Sequence, residues 1–172
     1  MKSETMELHK KKLPIKVSCG IITLSDSLSK DSNGKEKDLS GQYIINQVSE
    51  KYDADYYEII PDDAQKLLDT VEDMIEKGAD AIFTTGGTGL EERDITIETL
   101  SPLFDKEIPG FGEIFRAKSY EELGAGSLLS RATAGIYKKT LVFSMPGSPN
   151  AVEMGMDIII GELGHIKKHA QK

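Results

Sequence analysis

The stretch from Asp55 to Thr84 constrains the fold more tightly than any other part of the chain. Asp55 to Ile60 is a short extended run that stops at Pro61-Asp62-Asp63, and the next segment carries Ala64, Leu67, Leu68, Val71, Met74 and Ile75 before reaching Gly78. Spacings of three and four set those side chains on one helical face. Ala81 to Thr84 is apolar again and too short for a helix, so it reads as a buried strand. Two strands joined by an amphipathic helix form a parallel pair, because the helix carries the chain back to the edge it left.

The same alternation begins earlier. Lys16 to Leu24 reads as a strand that ends in Ser25, Asp26 and Ser27; a charged loop, Ser29 to Lys37, then either closes over a ligand or is simply solvated. Ser40 is expected to open a helix with Ile44, Ile45 and Val48 on one face. Downstream, helices are expected over Ile97 to Phe104, Phe111 to Leu123 and Gly126 to Ala134, and a tight two-strand excursion over Ile136 to Tyr137 and Thr140 to Ser144. Past Pro146-Gly147-Ser148-Pro149 comes a final helix, Asn150 to Leu163. The expected fold class is α/β, three layers α/β/α around a mostly parallel central sheet. With 172 residues, 38% of them hydrophobic, one core is expected: a single domain over 15–172, preceded by a mobile arm over 1–14.

Composition narrows the function. The chain holds 21 Lys and Arg against 29 Asp and Glu, a net charge of −8 that disfavours a nucleic-acid backbone as partner. The first dozen residues lack the apolar core of a signal peptide, and no run has the length of a membrane span, which points to the cytoplasm. Cys19 stands alone inside an apolar run and reads as a small core residue in a reducing compartment.

In an open parallel sheet, ligands sit beyond the carboxyl ends of the strands, where loops diverge and helix N-termini aim free N–H groups outward. Four polar loops meet that condition: Ser25-Asp26-Ser27, Pro61-Asp62-Asp63, Thr85-Gly86-Gly87-Thr88-Gly89 and Met145-Pro146-Gly147-Ser148-Pro149. The three glycines let consecutive N–H groups converge on an anion, with the Thr85 and Thr88 hydroxyls beside them. The loop has neither the ending of a P-loop nor the dinucleotide fingerprint, and a plain tight turn would share its composition.

Asp94 follows closely. A carboxylate beside a bound phosphate is repelled unless a cation lies between them, and Mg2+ favours one or two carboxylates together with phosphate oxygens. Asp62 would be the second carboxylate. Each has a structural alternative as part of a helix cap, Asp94 alongside Thr96 and Asp62 ahead of Ala64. In Ser130-Arg131 the guanidinium either forks onto phosphate or forms a structural ion pair. His165 and His169 share a spacing of four, but with no third ligand they suit a solvated tail better than a metal site.

Taken in order, Leu24-Ser25-Asp26, Asp38-Leu39-Ser40-Gly41, Ile60-Pro61-Asp62-Asp63, Thr84 to Gly89 with Arg93-Asp94-Ile95-Thr96, Ile108 to Glu113, Leu129-Ser130-Arg131-Ala132 and Pro146 to Pro149 resemble the signatures of the MogA/MoaB family of molybdenum cofactor biosynthesis proteins. The resemblance runs from about Lys16 to Leu163 and is closest to the MoaB type. It implies a three-layer α/β/α trimer or pair of trimers in which molybdopterin phosphate attacks the α-phosphate of ATP, with Mg2+, giving adenylylated molybdopterin and pyrophosphate.

The family's two catalytic, metal-associated acids match Asp62 and Asp94. Its ligand cradle matches Ser25, Asp26, Thr85, Gly86, Gly87, Thr88, Gly89, Ser130, Arg131, Pro146, Gly147, Ser148 and Pro149. A metal-insertion protein is the implied downstream partner. Two alternatives of other kinds stay open: a carrier that binds molybdopterin without turnover, and a different enzyme on the same fold. Ile97 departs from the family's frequent proline there, which touches a helix start rather than the chemistry.

Overall fold

The computed structural model describes residues 15–172; the arm expected over 1–14 lies outside the described residues. The elements in chain order are β1 (Ser18–Leu24), α1 (Asp26–Lys30), α2 (Gly34–Lys37), α3 (Leu39–Ser49), β2 (Asp53–Ile60), α4 (Ala64–Glu76), β3 (Ala81–Thr85) and α5 (Thr96–Leu100). A 3-10 turn (Ser101–Leu103) leads to β4 (Lys106–Glu107) and α6 (Pro109–Leu123). A second one (Gly124–Leu129) leads to β5 (Thr133–Tyr137), β6 (Thr140–Met145), α7 (Pro149–Ile159) and α8 (Leu163–Ala170).

The strands form one sheet in the order β2-β1-β3-β6-β5-β4. β2, β1, β3 and β6 are mutually parallel, while β5 runs antiparallel to both β6 and β4. Alternation along the strands divides the core between the two faces. Cys19, Ile21, Ala81, Phe83, Leu141, Phe143 and Met145 face one side, where Ile44 and Val48 of α3, Phe115 of α6 and Met156 of α7 cover them. Ile22, Leu24, Ile82 and Val142 face the other, beneath Leu67, Val71 and Met74 of α4 and Leu100 of α5. This is the expected α/β/α sandwich, each large buried side chain contributing about 1.5–3 kcal/mol. Phe83 and Phe143 stack at 5.6 Å between adjacent strands. Cys19 is fully buried, and burial first, then the Asp80 charge, pushes its thiol up to about 12, so it is an inert core residue.

Several local expectations give way. Gly126 to Ala134 is not a helix: the chain leaves the 3-10 turn at Leu129, and Thr133 to Tyr137 pairs with β6, because backbone pairing outweighs the helical spacing of small residues. The helix expected to Phe104 ends at Leu100, since Pro102 fits only the start of the following turn. The two-residue β4 offers no alternation to read. The charged loop from Ser29 contains two short helices, and α3 starts at Leu39 rather than Ser40, capped by Asp38 accepting from Gly41 N at 2.8 Å.

The last helix divides in two, and α8 is no solvated tail. Leu163 is buried and Ile166 packs on the core, while Lys167 Nζ donates to Asp80 Oδ2 at 2.8 Å. Asp80 also accepts from Ser18 N at 2.9 Å and Gln171 Nε2 at 2.8 Å, tying the start of β1, the start of β3 and α8 together. Burial opposes ionisation of Asp80, but the bonds from Lys167, Ser18 and Gln171 outweigh it and hold the carboxyl below its usual range. A depressed carboxylate contributes stability above its unfolded value and loses it as pH falls through the folded one. Asp80→Asn should therefore cost about 1–2 kcal/mol in urea unfolding at pH 7, with the gap to wild type closing at acid pH.

Candidate functional site

The parallel register brings the carboxyl ends of β1, β3 and β6 level, with Thr23 opposite Thr85 and Thr85 opposite Met145. The polar loops thus share one edge. Gly86 and Gly87 take φ of +97° and +64°, and Gly86 passes so close to the Leu24 carbonyl that no Cβ fits. Gly86 N donates to Met145 O at 3.1 Å, and Thr96 donates twice, from N to Gly87 O at 2.9 Å and from Oγ1 to Gly86 O at 2.8 Å. The loop is thereby fixed from both sides. Its next three N–H groups, on Gly87, Thr88 and Gly89, donate to no other described residue, although Thr88 is 3% exposed. Consecutive free N–H groups on a folded-back loop make a concave anion acceptor.

Both acidic residues flank that loop. A Cβ on Gly87 would lie 3.3 Å from Asp62 Oδ1, and one on Gly89 would collide with the Asp94 carboxylate, 3.0 Å from its Cγ. The capping alternatives fail for physical reasons. Asp63, not Asp62, caps α4 by accepting from Lys66 N at 2.7 Å, and Thr96 is occupied with the glycine carbonyls, leaving α5 without a side-chain cap. Asp94 instead accepts from Glu91 N at 2.9 Å, closing its own turn. Asp26 Oδ1 accepts from Asp62 N at 3.2 Å. Burial first, then the charges of Asp26 and Asp94, raise the Asp62 carboxyl. Among the described residues no group of three His, Cys, Asp or Glu is arranged as a ready-made metal site. Two carboxylates and a phosphate would supply the oxygen set that Mg2+ accepts.

The other expected residues divide into neighbours and outliers. Ser25 bonds Ile60 O through its N–H at 2.9 Å and caps α1 with its hydroxyl, and Ser148 caps α7 in the same way. Thr85 gives its hydroxyl to Pro146 O at 3.1 Å, while a Cβ on Gly147 would lie 3.2 Å from Gly86 Cα. Ser25, Thr85, Gly147 and Pro149 line a cavity of about 300 Å3 beside the loop. Ser130 and Arg131 are not in that cavity. Arg131 pairs with Glu98 of α5, two residues along from Thr96, and borders a second cavity.

Sequence reasoning missed the wall opposite the loop. Ser40 Oγ donates to Gly147 O at 2.8 Å, and Asp38, 2% exposed, accepts from Tyr57 Oη at 2.7 Å. Thr23 also lines the cavity, with a buried hydroxyl that has no partner among the described residues. An aspartate just ahead of an apolar helix was the available signal for Asp38.

Fold and cleft together define a class: a three-layer α/β protein whose sheet edge carries a glycine-rich loop flanked by two carboxylates. The chain belongs to the MoCF_biosynth family, described as "Probable molybdopterin binding domain", which matches residues 20–165. It is 49% identical over 171 residues to a molybdopterin adenylyltransferase of Pyrococcus furiosus, covering 97% of this chain and 99% of that protein. It is 41% identical to molybdenum cofactor biosynthesis protein B of Bacillus subtilis, covering 98% of each. Among solved structures, the tungsten cofactor synthesizing protein MoaB from Pyrococcus furiosus superposes with a TM-score of 0.86 at 48% identity, over 93% of this chain and 100% of that one.

One consequence concerns stability. A carboxyl raised in the folded state is a penalty present above its unfolded value, near pH 4, and absent below it. Asp62→Asn should melt at or above the wild-type temperature at pH 7, and this advantage should fade below the carboxylate range in scanning calorimetry.

Proposed function

We propose that the chain adenylylates molybdopterin, using ATP with Mg2+ and releasing pyrophosphate. The observation that carries this reading is that Asp62 and Asp94 flank a loop with three N–H groups that donate to no described residue. The identity to the Pyrococcus furiosus adenylyltransferase supports it. Adenylyl transfer asks for positioning and charge stabilisation more than covalent work by the protein.

The N–H groups of Gly87, Thr88 and Gly89 hold phosphate oxygens, and the cavity above β1 and β3 seats a substrate against Ser25, Thr85 and the Pro146 to Pro149 loop. Asp94 and Asp62 hold Mg2+, which offsets the phosphate charge when bound. Asp26, bonded to the Asp62 backbone, orients that carboxylate. Residues 15–172 act as one molybdopterin-binding domain in the cytoplasm; no described helix is long and apolar enough to cross a membrane. The product passes to a metal-insertion protein.

Self-association into a trimer or a pair of trimers belongs to the same reading. Tyr120, Leu123, Leu128 and Leu129 stand exposed around the end of α6, Leu128 at 82%, an apolar surface that an isolated copy leaves in water. Converting Leu128 and Leu129 together to Glu should shift the sedimentation coefficient to a smaller species without unfolding the chain.

The direct test is to incubate the protein with molybdopterin, Mg2+ and ATP and assay adenylylated product. Asp94→Asn should lower turnover by about a hundredfold or more while the far-UV spectrum stays unchanged. Wild-type turnover in that variant would remove Asp94 from the mechanism.

A further inference from the structure

Two cavities open on this side of the sheet, one lined by Thr85 and Gly147 and another that includes Ile97 and Arg131. The second, also about 300 Å3, opens above the start of β5, walled by Ile97, Pro109, Gly112 and Ala132, with the side chains of Arg116 and Arg131 lining it. Ile97 directly follows Thr96, whose two bonds hold the glycine carbonyls, so this cavity adjoins the residue that fixes the loop. Arg131 is held by Glu98. Among the described residues Arg116 has no such partner. It is exposed, and the one side-chain hydrogen bond it makes with a described residue runs from Nη1 to Ala132 O at a long 3.5 Å. Glu107 and Glu113 line the same cavity, yet among the described residues neither comes within ion-pair distance of Arg116.

A chain of net charge −8 thus keeps, in a ligand-sized cavity beyond Thr96 from the glycine loop, a guanidinium that no described residue pairs. We propose that this cavity receives the two outer phosphates of the nucleotide, with Arg116 as their principal cationic contact and Arg131 joining as it exchanges Glu98 for phosphate. The inference rests on the adenylyl-transfer reading above. In that reaction an oxygen of the molybdopterin phosphate bonds to the α-phosphorus. The bond from the α-phosphorus to the oxygen bridging toward the β-phosphorus breaks, and its electron pair leaves on pyrophosphate. Negative charge therefore grows on the outer phosphates, where planar guanidinium groups can fork onto two oxygens at once. Seating the transferred phosphorus at the glycine loop leaves the cavity above β1 and β3 for the other substrate, so attacking and departing groups approach from opposite sides.

The test titrates the full chain calorimetrically with inorganic pyrophosphate and, separately, with AMP, without divalent ions so that only protein cations contribute. Arg116→Ala should weaken pyrophosphate about ten- to a hundredfold and leave AMP binding unchanged, with Arg116→Lys recovering part of the loss. Arg116→Gln, which keeps a donor for the Ala132 carbonyl, should behave like the alanine variant if the role is ionic. Equal pyrophosphate affinity in wild type and Arg116→Ala, an equal loss of AMP and pyrophosphate, or no pyrophosphate binding by wild type would overturn the assignment. Absence of adenylylated product from wild type, with Arg116-dependent pyrophosphate binding intact, would defeat the earlier reading and leave this subsite standing.

Discussion

The double hydrogen bond from Thr96 to the carbonyls of Gly86 and Gly87 is the contact on which the rest of the cleft depends. It turns those carbonyls toward the body of the protein. With Gly86 N already given to Met145, the N–H groups of Gly87, Thr88 and Gly89 are left without a partner among the described residues. Because Thr96 begins α5, and Leu100 of α5 lies in the core beneath β3 and β6, the loop inherits the rigidity of the sandwich. A loop anchored in this way holds its N–H groups in place before a ligand arrives, so little reorganisation is needed on binding.

That arrangement creates an electrostatic tension. Free N–H groups favour an anion, while Asp26, Asp62 and Asp94 gather carboxylates around the same place in a chain already at −8. Burial raises the Asp62 carboxyl most, and the Asp26 and Asp94 charges add to it. Neighbouring Asp62 and Asp63 show how the tension is maintained: Asp63 caps α4, so Asp62 is not engaged by the helix and remains turned toward Gly87.

Much of this was legible before any coordinates. The spacing of Leu67, Val71 and Met74 announced a helix over the sheet, short apolar runs announced its strands, and the rule placing ligands at carboxyl ends selected loops that do converge. What escaped depends on long-range pairing. Thr96 looked like a cap because local pattern cannot reveal a carbonyl ten residues back that competes for its hydroxyl. Asp38 and Ser40 reach the cleft only because α3 packs against β1, and their bonds to Tyr57 and Gly147 span parts of the chain that composition cannot connect.

Ser130 and Arg131 pose the more instructive case, because the rule that finds the other loops should exclude them. They precede a strand instead of following one. β5 runs antiparallel to β6, however, so Thr133 pairs with Ser144 and the start of β5 comes to the same edge as the ends of β1, β3 and β6. Reversing one strand brings an arginine to that edge without requiring another crossover helix. The cost is distance: Arg131 arrives beside the second cavity, tied to Glu98, and not in the cavity lined by Thr85 and Gly147. The antiparallel extension adds a second cavity, lined by Arg116 and Arg131, that parallel strands alone would not supply.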